Sequence, residues 1–205
     1  MTSSVGDAVP ATYNGYLIDG FLGYATGHGP YLSNINAREV LLIANATTGK
    51  ILVLENATDK TTHQSDTNNG YSPIVVNGII YLPTIAGIVE AFNLQGKLLW
   101  TSPVISSTVI QSALIFYNGY LIVTTGPNIA VLNSSNGELV NIYYTPFIVR
   151  QQPIIVGQTL IETTSTNWVF AVPVYSTIHG SEFPPLNVSN SSTVFMFFSW
   201  RHSKP

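Results

Sequence analysis

The sequence has no cysteine, and only 8% of its residues are charged. The lack of cysteine excludes a disulfide framework, a zinc–thiolate site and a thiol nucleophile. With 7 Lys and Arg residues the chain is too poor in basic groups for general nucleic-acid binding, because phosphate contacts need cationic side chains. Intrinsic disorder is excluded as well, since 45% of the residues are hydrophobic and the formal net charge is -3. The 205 residues are therefore expected to form a single domain, residues 1–205, with a sizeable core.

Hydroxyl and amide side chains stand where charged ones usually do: the chain has 21 Thr, 19 Ser and 17 Asn. A surface of neutral hydrogen-bonding groups responds little to pH, and only 10 Asp and Glu are available for protonation. This composition favours an extracytoplasmic protein, secreted or at the cell surface, in an acidic setting. Compositional drift in an uncharged β protein explains it equally well. No apolar stretch approaches the roughly 20 residues that span a bilayer, and residues 1–10 lack the basic and apolar regions of a secretory signal.

Short apolar runs, each broken by a glycine turn, recur along the chain. Asn-Gly pairs interrupt three of them, and this dipeptide between β-rich runs is a strong hairpin signal. The four broken runs are Ala11–Ile18, Ile74–Leu82, Leu114–Val123 and Ile154–Glu162. A second set of runs follows them, at Val40–Asn45, Ile88–Asn93, Ile129–Asn133 and Trp168–Val174.

The register of these runs is nearly constant, because both Gly78 to Gly119 and Gly96 to Gly137 are 41 residues apart. Four-stranded antiparallel units that repeat every forty-odd residues are typical of β-propeller blades. We therefore predict an all-β propeller of about four blades, either a small closed ring or half of a larger one. Blade 4 lacks the second glycine turn, so its fourth strand is predicted at Thr193–Trp200. The blades are predicted at approximately residues 5–58, 72–105, 111–145 and 152–200.

The segment Ala91–Trp100 resembles the repeat signature of quinoprotein (PQQ-like) propellers, in which Ala-x-Asp, a Thr-Gly turn, Lys and Trp follow one another. Blade 1 carries Ala44–Lys50 with Val53 at the tryptophan position, and blade 3 carries Leu132–Gly137 with Asn141 there. The resemblance implies the propeller fold. Enzymes of this family use eight blades, an acidic calcium-binding cluster and, in many, a vicinal disulfide. This chain has no cysteine, half the blades and no identifiable acidic cluster, so we expect no PQQ, no calcium and no other metal or cofactor.

The longest early loops, Ala25–Asn36 and Asn56–Gly70, are expected on one face of the propeller, and long loops on a rigid scaffold often carry function. Ordinary solvated loops are the alternative. A cation site in the second loop, at Asp59 and its polar neighbours, is less favoured than a polar turn. Glu90 and Glu162 lie in predicted strands and are expected to line a channel or form ion pairs. The predicted ligand-binding residues are His28, Tyr31, His63, Asp66, Arg150 and Gln151.

Five Asn-x-Ser/Thr sequons predict a glycoprotein, with glycans on the face opposite the long loops. The sequon asparagines are Asn45, Asn56, Asn133, Asn187 and Asn190.

These observations favour a non-catalytic propeller module outside the cytoplasm that binds a protein or glycan partner or scaffolds an assembly. No catalytic residue is assigned, and neither nucleic acid nor a transmembrane segment is expected. One alternative is a truncated quinoprotein-type dehydrogenase. The other is a structural subunit that self-associates through exposed strand edges.

Overall fold

Antiparallel strands that follow one another in chain order form almost all of the structure. A computed structural model describes residues 9–24, 37–62, 72–84, 86–105, 114–149, 152–163 and 169–180. Blade 1 consists of β1 (Ala11–Tyr13), β2 (Tyr16–Tyr24), β3 (Ala37–Asn45) and β4 (Ile51–Thr62). Blade 2 consists of β5 (Ile74–Val76), β6 (Ile79–Pro83), β7 (Val89–Asn93) and β8 (Leu98–Thr101).

The other two sheets are variants of the same unit. Blade 3 consists of β9 (Ile115–Tyr117), β10 (Tyr120–Asn133) and β11 (Leu139–Val149). The backbone N–H of Ser134 donates to the Gly119 carbonyl at 2.9 Å, as Ala46 donates to Gly15 in blade 1. We infer that β10 folds back at Gly126 (φ 61°) and supplies both middle strands of its sheet. Blade 4 consists of β12 (Ile154–Val156), β13 (Thr159–Thr163), β14 (Val169–Pro173) and the helix α1 (Val174–His179).

The first turn of each blade has the conformation that the Asn-Gly pairs predict. Asn14 and Gly15 have φ values of 46° and 81°, and the corresponding pairs in blades 2 and 3 are also positive. Positive φ at both central residues defines the type I′ turn, whose twist matches that of the flanking strands. Gly157 (φ 62°) takes the first turn position in blade 4. The predicted all-β propeller blades are therefore confirmed.

Three apolar cores join neighbouring blades. The core between blades 1 and 2 includes Ile18 and Ile80, the next includes Tyr81 and Leu121, and the core between blades 3 and 4 includes Ile122 and Leu160. Because side chains alternate between the two faces of a strand, each middle blade contributes to two cores. Among the described residues, no such core joins blade 4 to blade 1.

A second contact between blades recurs at the position where the quinoprotein signature has its tryptophan. In blade 2 this residue is Trp100, whose indole ring lies against Gly137 of blade 3. The ring nitrogen Nε1 also donates to the Ser134 carbonyl at 3.1 Å. In blade 1, Val53 occupies the same position and lies against Gly96 of blade 2.

Asn141 of blade 3 repeats this contact on blade 4, where it meets Gly180 at the end of α1. A methyl group on Gly180 would lie 3.2 Å from Asn141 Nδ2. The same nitrogen donates to the Thr177 carbonyl at 3.3 Å, three residues before the glycine, as Ser134 precedes Gly137 by three. The end of α1 thus has the role of the second turn of blade 4.

This arrangement corrects two expectations about blade 4. The predicted all-β structure has one exception, the six-residue helix α1, and the second glycine turn that the sequence pattern lacked is present as Gly180 (φ 71°). The N–H of Gly180 donates to the Ser176 carbonyl at 2.9 Å, as Gly137 donates to Asn133 in blade 3. The helix adds residues between the end of β14 and Gly180. Because of this insertion, the glycine does not stand at the spacing seen in the other blades. The predicted strand Thr193–Trp200 lies outside the described residues.

Strand β4 is longer than predicted. It continues to Thr62, so the first part of the expected loop Asn56–Gly70 is a strand that pairs with β3, with Asn56 opposite Val40. Among the described residues, no helix is long and apolar enough to cross a membrane.

The asparagine before each second turn holds that turn together, as the sequence predicts. Asn93 Oδ1 accepts from the backbone N–H groups of Gln95 at 3.0 Å and Lys97 at 2.9 Å. We expect Asn93→Ala to lower the free energy of unfolding by about 1 kcal/mol, because these two donors lose their partner. Gln95→Ala, in the same turn, is expected to change it by less than about 0.5 kcal/mol. Urea denaturation of both variants measures the difference, and equal stabilities would contradict the capping role.

Candidate functional site

None of the six predicted ligand-binding residues belongs to the described part of the chain, so the structure does not test that surface. These residues are His28, Tyr31, His63, Asp66, Arg150 and Gln151. The glycan positions are divided: Asn187 and Asn190 also lie outside the described residues, and Asn56 lies in β4.

Asn45 and Asn133 are candidate acceptors for a glycan, and their side chains also stabilise the turns that follow them. Asn45 Oδ1 accepts from the N–H groups of Thr47 and Thr48 at 3.0 and 2.8 Å. Asn133 Oδ1 accepts from the N–H of Ser135 at 2.9 Å. Each side-chain carbonyl therefore caps its own turn. Glycosylation at these positions stays a prediction.

The carboxyl group with the most unusual environment among the described residues is that of Glu162 in β13. Its residue is 1% exposed, and neither carboxyl oxygen has a hydrogen-bond partner. Leu160, two residues earlier, belongs to the core between blades 3 and 4. Because alternate residues of a strand share a face, Glu162 is directed at blade 3. Its cross-strand neighbour is Phe170.

Burial alone determines the protonation of this group. Removal from water disfavours the charged carboxylate, and no cation or donor among the described residues compensates for it. Desolvation raises the pKa of Glu162 from 4.5 to about 9. The side chain is therefore a neutral carboxylic acid at neutral pH, which makes it a proton donor rather than a ligand for a cation.

Two further buried polar atoms without partners lie at one end of blade 3. They are Thr125 Oγ1 and Asn128 Oδ1, which flank the Gly126 turn on opposite sides. The Gly126 turn ends the second strand of blade 3, and the residues just after Glu162 end the second strand of blade 4. Equivalent strands run in the same direction, so these two ends lie on the same side of the propeller. Unpaired buried polar groups are rare in folded proteins, and they often mark a site that a ligand or water completes.

Asp19 occupies in blade 1 the position that Glu162 has in blade 4, since each is four residues after the turn. Burial raises the pKa of Asp19, and the N–H of Gly20, which donates to Asp19 Oδ1 at 2.9 Å, opposes this shift. Asp19 is only half-buried, so of these two equivalent acids only Glu162 is fully enclosed.

The structure does not bring Glu90 and Glu162 together. Glu90 pairs with Leu82, whose neighbours form the core between blades 1 and 2, whereas Glu162 lies between blades 3 and 4. A channel-lining or ion-paired role, the expectation for Glu162, does not fit a buried carboxyl without partners. The described residues also contain no group of three or more acidic or histidine side chains placed to hold a metal ion.

The sequence pattern placed Glu162 in a strand, but it did not predict that the carboxyl would be buried without a hydrogen-bond partner. Both faces of a propeller sheet are covered, so an acidic residue within an apolar run has no exposed side to occupy. The sequence did offer one signal: the run Ile154–Glu162 contains a single acid, and the described part of blade 4 contains no lysine or arginine.

No family model matches the chain. Two curated relatives carry the same name, tetrathionate hydrolase. The protein from Acidithiobacillus ferrooxidans is 36% identical over 118 residues, which is 55% of this chain and 24% of that protein. The protein from Acidianus ambivalens is 26% identical over 113 residues, 50% of this chain and 21% of that protein. The matched region thus spans about a quarter of the length of these relatives.

These relatives correct the expectation of a non-catalytic module, because both are named as enzymes. The expectation rested on the missing features of quinoprotein enzymes. Their absence argues against PQQ as a cofactor, but it says nothing about hydrolytic activity. The relatives' name gives no support to a dehydrogenase or a structural subunit either.

Solved structures match the fold over most of the chain. A quinohemoprotein alcohol dehydrogenase from Pseudomonas putida HK5 superposes with a TM-score of 0.61 at 13% identity, over 85% of this chain and 33% of that chain. The computationally designed Ika4 protein gives a TM-score of 0.60 at 11% identity, over 85% of this chain and 99% of that chain. BamB from Moraxella catarrhalis gives 0.56 at 11% identity, over 83% of this chain and 59% of that chain.

At such low identity these likenesses concern the fold alone. They agree with the signature at Ala91–Trp100 and with the contact of Trp100 on the turn glycine of the next blade. The chain therefore has the β-propeller fold of the quinoprotein (PQQ-like) repeat.

Proposed function

We propose that this chain belongs to a hydrolase that acts on tetrathionate or a related polythionate. The observation that carries the proposal is the 36% identity over 118 residues with the tetrathionate hydrolase of Acidithiobacillus ferrooxidans. The proposal covers the activity of the whole protein, of which the matched region is a part.

Glu162, whose carboxyl is protonated and lies between blades 3 and 4, is our candidate for the proton donor of this reaction, and because it is 1% exposed the substrate must enter that interface to reach it. In hydrolysis, the oxygen of water bonds to one sulfur atom while the sulfur–sulfur bond breaks, and its electron pair leaves on the other sulfur. When water attacks a terminal sulfonate sulfur, sulfate forms and the leaving sulfane sulfur takes up a proton, which we assign to the Glu162 carboxyl. A proton released from the attacking water restores the acid, so atoms and charge balance.

The neutral form of Glu162 also suits the substrate. Tetrathionate is a dianion, and an ionised carboxylate beside it would repel it, whereas a protonated carboxyl donates a hydrogen bond. A pKa of about 9 keeps the group protonated across acidic and neutral pH. The sparse charge of the chain supports an extracytoplasmic, acidic location within the same proposal, since few groups change charge as the pH falls.

The activity test compares three proteins with tetrathionate, whose consumption is followed by ion chromatography. We expect turnover by the whole protein that contains this chain and a loss of about 100-fold or more in kcat for Glu162→Gln, with KM little changed, since general acid catalysis contributes roughly 10²–10⁴-fold. Glu138→Gln removes an exposed acid and is expected to keep full activity.

The outcomes separate the two parts of the proposal. A whole protein, containing this chain, that leaves tetrathionate intact would contradict the proposed function. Full activity of Glu162→Gln would retain the function and reject Glu162 as the acid.

A further inference from the structure

The Asn-Gly pairs of blades 2 and 3 share a sequence but differ in their surroundings. Asn77-Gly78 and Asn118-Gly119 form the first turns of the two blades, and Asn136-Gly137 lies in the second turn of blade 3. An asparagine followed by glycine is prone to lose its side-chain ammonia, because glycine has no side chain to hinder attack by its backbone nitrogen. The dipeptide is the same in each case, so a difference in reactivity comes from the fold.

The pair in the second turn of blade 3 is held by hydrogen bonds. Asn136 Nδ2 donates to Glu138 Oε2 at 2.8 Å, and Asn136 Oδ1 accepts from the backbone N–H of Glu138 at 3.1 Å. The N–H of Gly137 donates to the Asn133 carbonyl at 2.8 Å. The side chain and the backbone nitrogen that would have to react are therefore both engaged.

The first turn of blade 2 is covered by two large side chains. A methyl group on Gly78 would lie 3.8 Å from Leu94 Cδ1 and 4.0 Å from the hydroxyl of Tyr13 in blade 1. Gly78 is accordingly half-buried, although Asn77 is exposed. The reaction requires this turn to change its conformation, and that movement would disturb both contacts.

The first turn of blade 3 lacks this cover. Ser134 and Val76, which are shorter, stand at the positions of the leucine and the tyrosine. No described atom lies within 4 Å of the point where a methyl group on Gly119 would sit, and both Asn118 and Gly119 are exposed. The turn is thus open although blade 3 has a described blade on each side.

We propose that Asn118 is a site of spontaneous deamidation, which converts it to aspartate or isoaspartate. The backbone nitrogen of Gly119 loses its proton and bonds to Asn118 Cγ, while the bond from Cγ to Nδ2 breaks and ammonia leaves with that proton. Water then opens the resulting succinimide ring at either carbonyl carbon. Water is the only co-reactant, and no atom is oxidised or reduced.

Conversion to isoaspartate would affect the interface between blades 3 and 4. It adds a methylene group to the main chain of a type I′ turn, which has only two central residues. The Gly119 carbonyl accepts from the Ser134 N–H at 2.9 Å, and the next residue, Tyr120, packs against the core shared with blade 4. The change also adds a negative charge to a chain whose formal net charge is -3. None of these steps involves Glu162 or the proposed hydrolase activity.

Peptide mapping by mass spectrometry tests the proposal on the folded full-length protein after prolonged incubation at pH 8. Digestion with pepsin at low pH avoids further conversion, and electron-transfer fragmentation separates aspartate from isoaspartate. We expect conversion at Asn118 to exceed that at Asn77 and Asn136 by about tenfold or more, because the other two turns must first break their contacts. In the urea-unfolded protein the three sites are expected to convert at similar rates, since glycine follows each of them.

A variant of blade 2 tests the cause of the difference. Leu94→Ser removes one covering side chain and is expected to raise conversion at Asn77 toward the level at Asn118. Leu99→Ser, at a side chain that is 46% exposed, is expected to leave it unchanged. Conversion at Asn136 should not change in either variant, which excludes a general loss of structure.

The proposal has clear contrary outcomes. Equal conversion at Asn77 and Asn118 in the folded native protein would overturn it, and so would faster conversion at Asn136 or an Asn118 that stays intact. An unchanged rate at Asn77 in Leu94→Ser would reject the covering side chain as the reason for the difference.

Discussion

Replacement of Gly137 by alanine is expected to lower the free energy of unfolding by about 3 kcal/mol. Gly137 has φ 76°, a left-handed conformation that costs an L-residue roughly 1–2 kcal/mol. The added methyl group would also lie 2.8 Å from the Trp100 ring atom Cζ3 and closer still to its neighbour in the ring. Forcing an extra methyl group into a packed site costs roughly 1–3 kcal/mol more.

Trp100 has little freedom to move away from this methyl group. Its Nε1 donates to the Ser134 carbonyl at 3.1 Å, and its ring lies 5.8 Å from the Tyr81 ring, centroid to centroid. A displaced indole would leave the Ser134 carbonyl with only the Tyr81 hydroxyl as a donor, at 3.3 Å, and would open the core between blades 2 and 3.

Gly49→Ala is the matched control, because Gly49 has a similar φ of 68° but no described atom within 4 Å of the new methyl group. We expect a loss of about 1–2 kcal/mol, from the backbone alone. Urea denaturation followed by tryptophan fluorescence measures both variants. Equal losses would show that the indole does not fix the position of the next blade.

The second large effect is a dependence of stability on pH that a single residue produces. The pKa of Glu162 is about 9 in the folded protein and has its ordinary value of 4.5 when burial is absent. The folded state therefore keeps a proton that the unfolded chain has already released. The contribution of this group to stability is fully present below pH 4.5 and is lost as the pH rises toward 9, by about 1.4 kcal/mol per pH unit.

Glu162→Gln removes this dependence, since an amide has no proton to lose. The variant is expected to be more stable than the native chain at pH 8 and to lose that advantage near pH 5. Urea midpoints between pH 4 and 9 give the two curves, and Glu138→Gln, at an exposed acid, should reproduce the native slope. Parallel curves for Glu162→Gln and the native chain would mean that the carboxyl ionises freely in the folded state.

The sequence predicted the blades well because their determinants are local. An Asn-Gly pair between apolar runs requires positive φ at both residues, and Asn77 and Gly78 have φ values of 52° and 79°. The same holds for Asn93, whose carbonyl oxygen binds the turn that follows it. Such features involve only a few neighbouring residues, so they can be read from one segment at a time.

The second turn of blade 4 was missed because its residues are arranged by a helix rather than by a short turn. Gly180 follows Pro173 by seven residues, whereas Gly137 follows Asn133 by four. The available clue was the interval of 43 residues from Gly137 to Gly180, close to the interval of 41 before it. The strand pattern masked this clue, since no hairpin surrounds Gly180.

The state of Glu162 lay beyond the sequence for a different reason. Its pKa depends on what blade 3 places opposite it, and that neighbour comes from another repeat. The interface between the two blades determines whether a buried carboxyl contacts a cation or an apolar side chain. The activity was likewise inaccessible from the repeat, because the propeller signature describes folding and is shared by unrelated chemistries.

The three side chains that rest on the following turn differ in kind: Val53 is aliphatic, Trp100 is aromatic and Asn141 is an amide. Each interface between blades therefore has a different contact residue. A blade placed out of order would bring an indole against a turn that packs with an amide, or an amide against a turn that packs with an indole. Such mismatches would disfavour chains in which repeats exchange places during folding. They also limit how evolution can shuffle or duplicate these units, because a transplanted blade must arrive together with the turn that receives it.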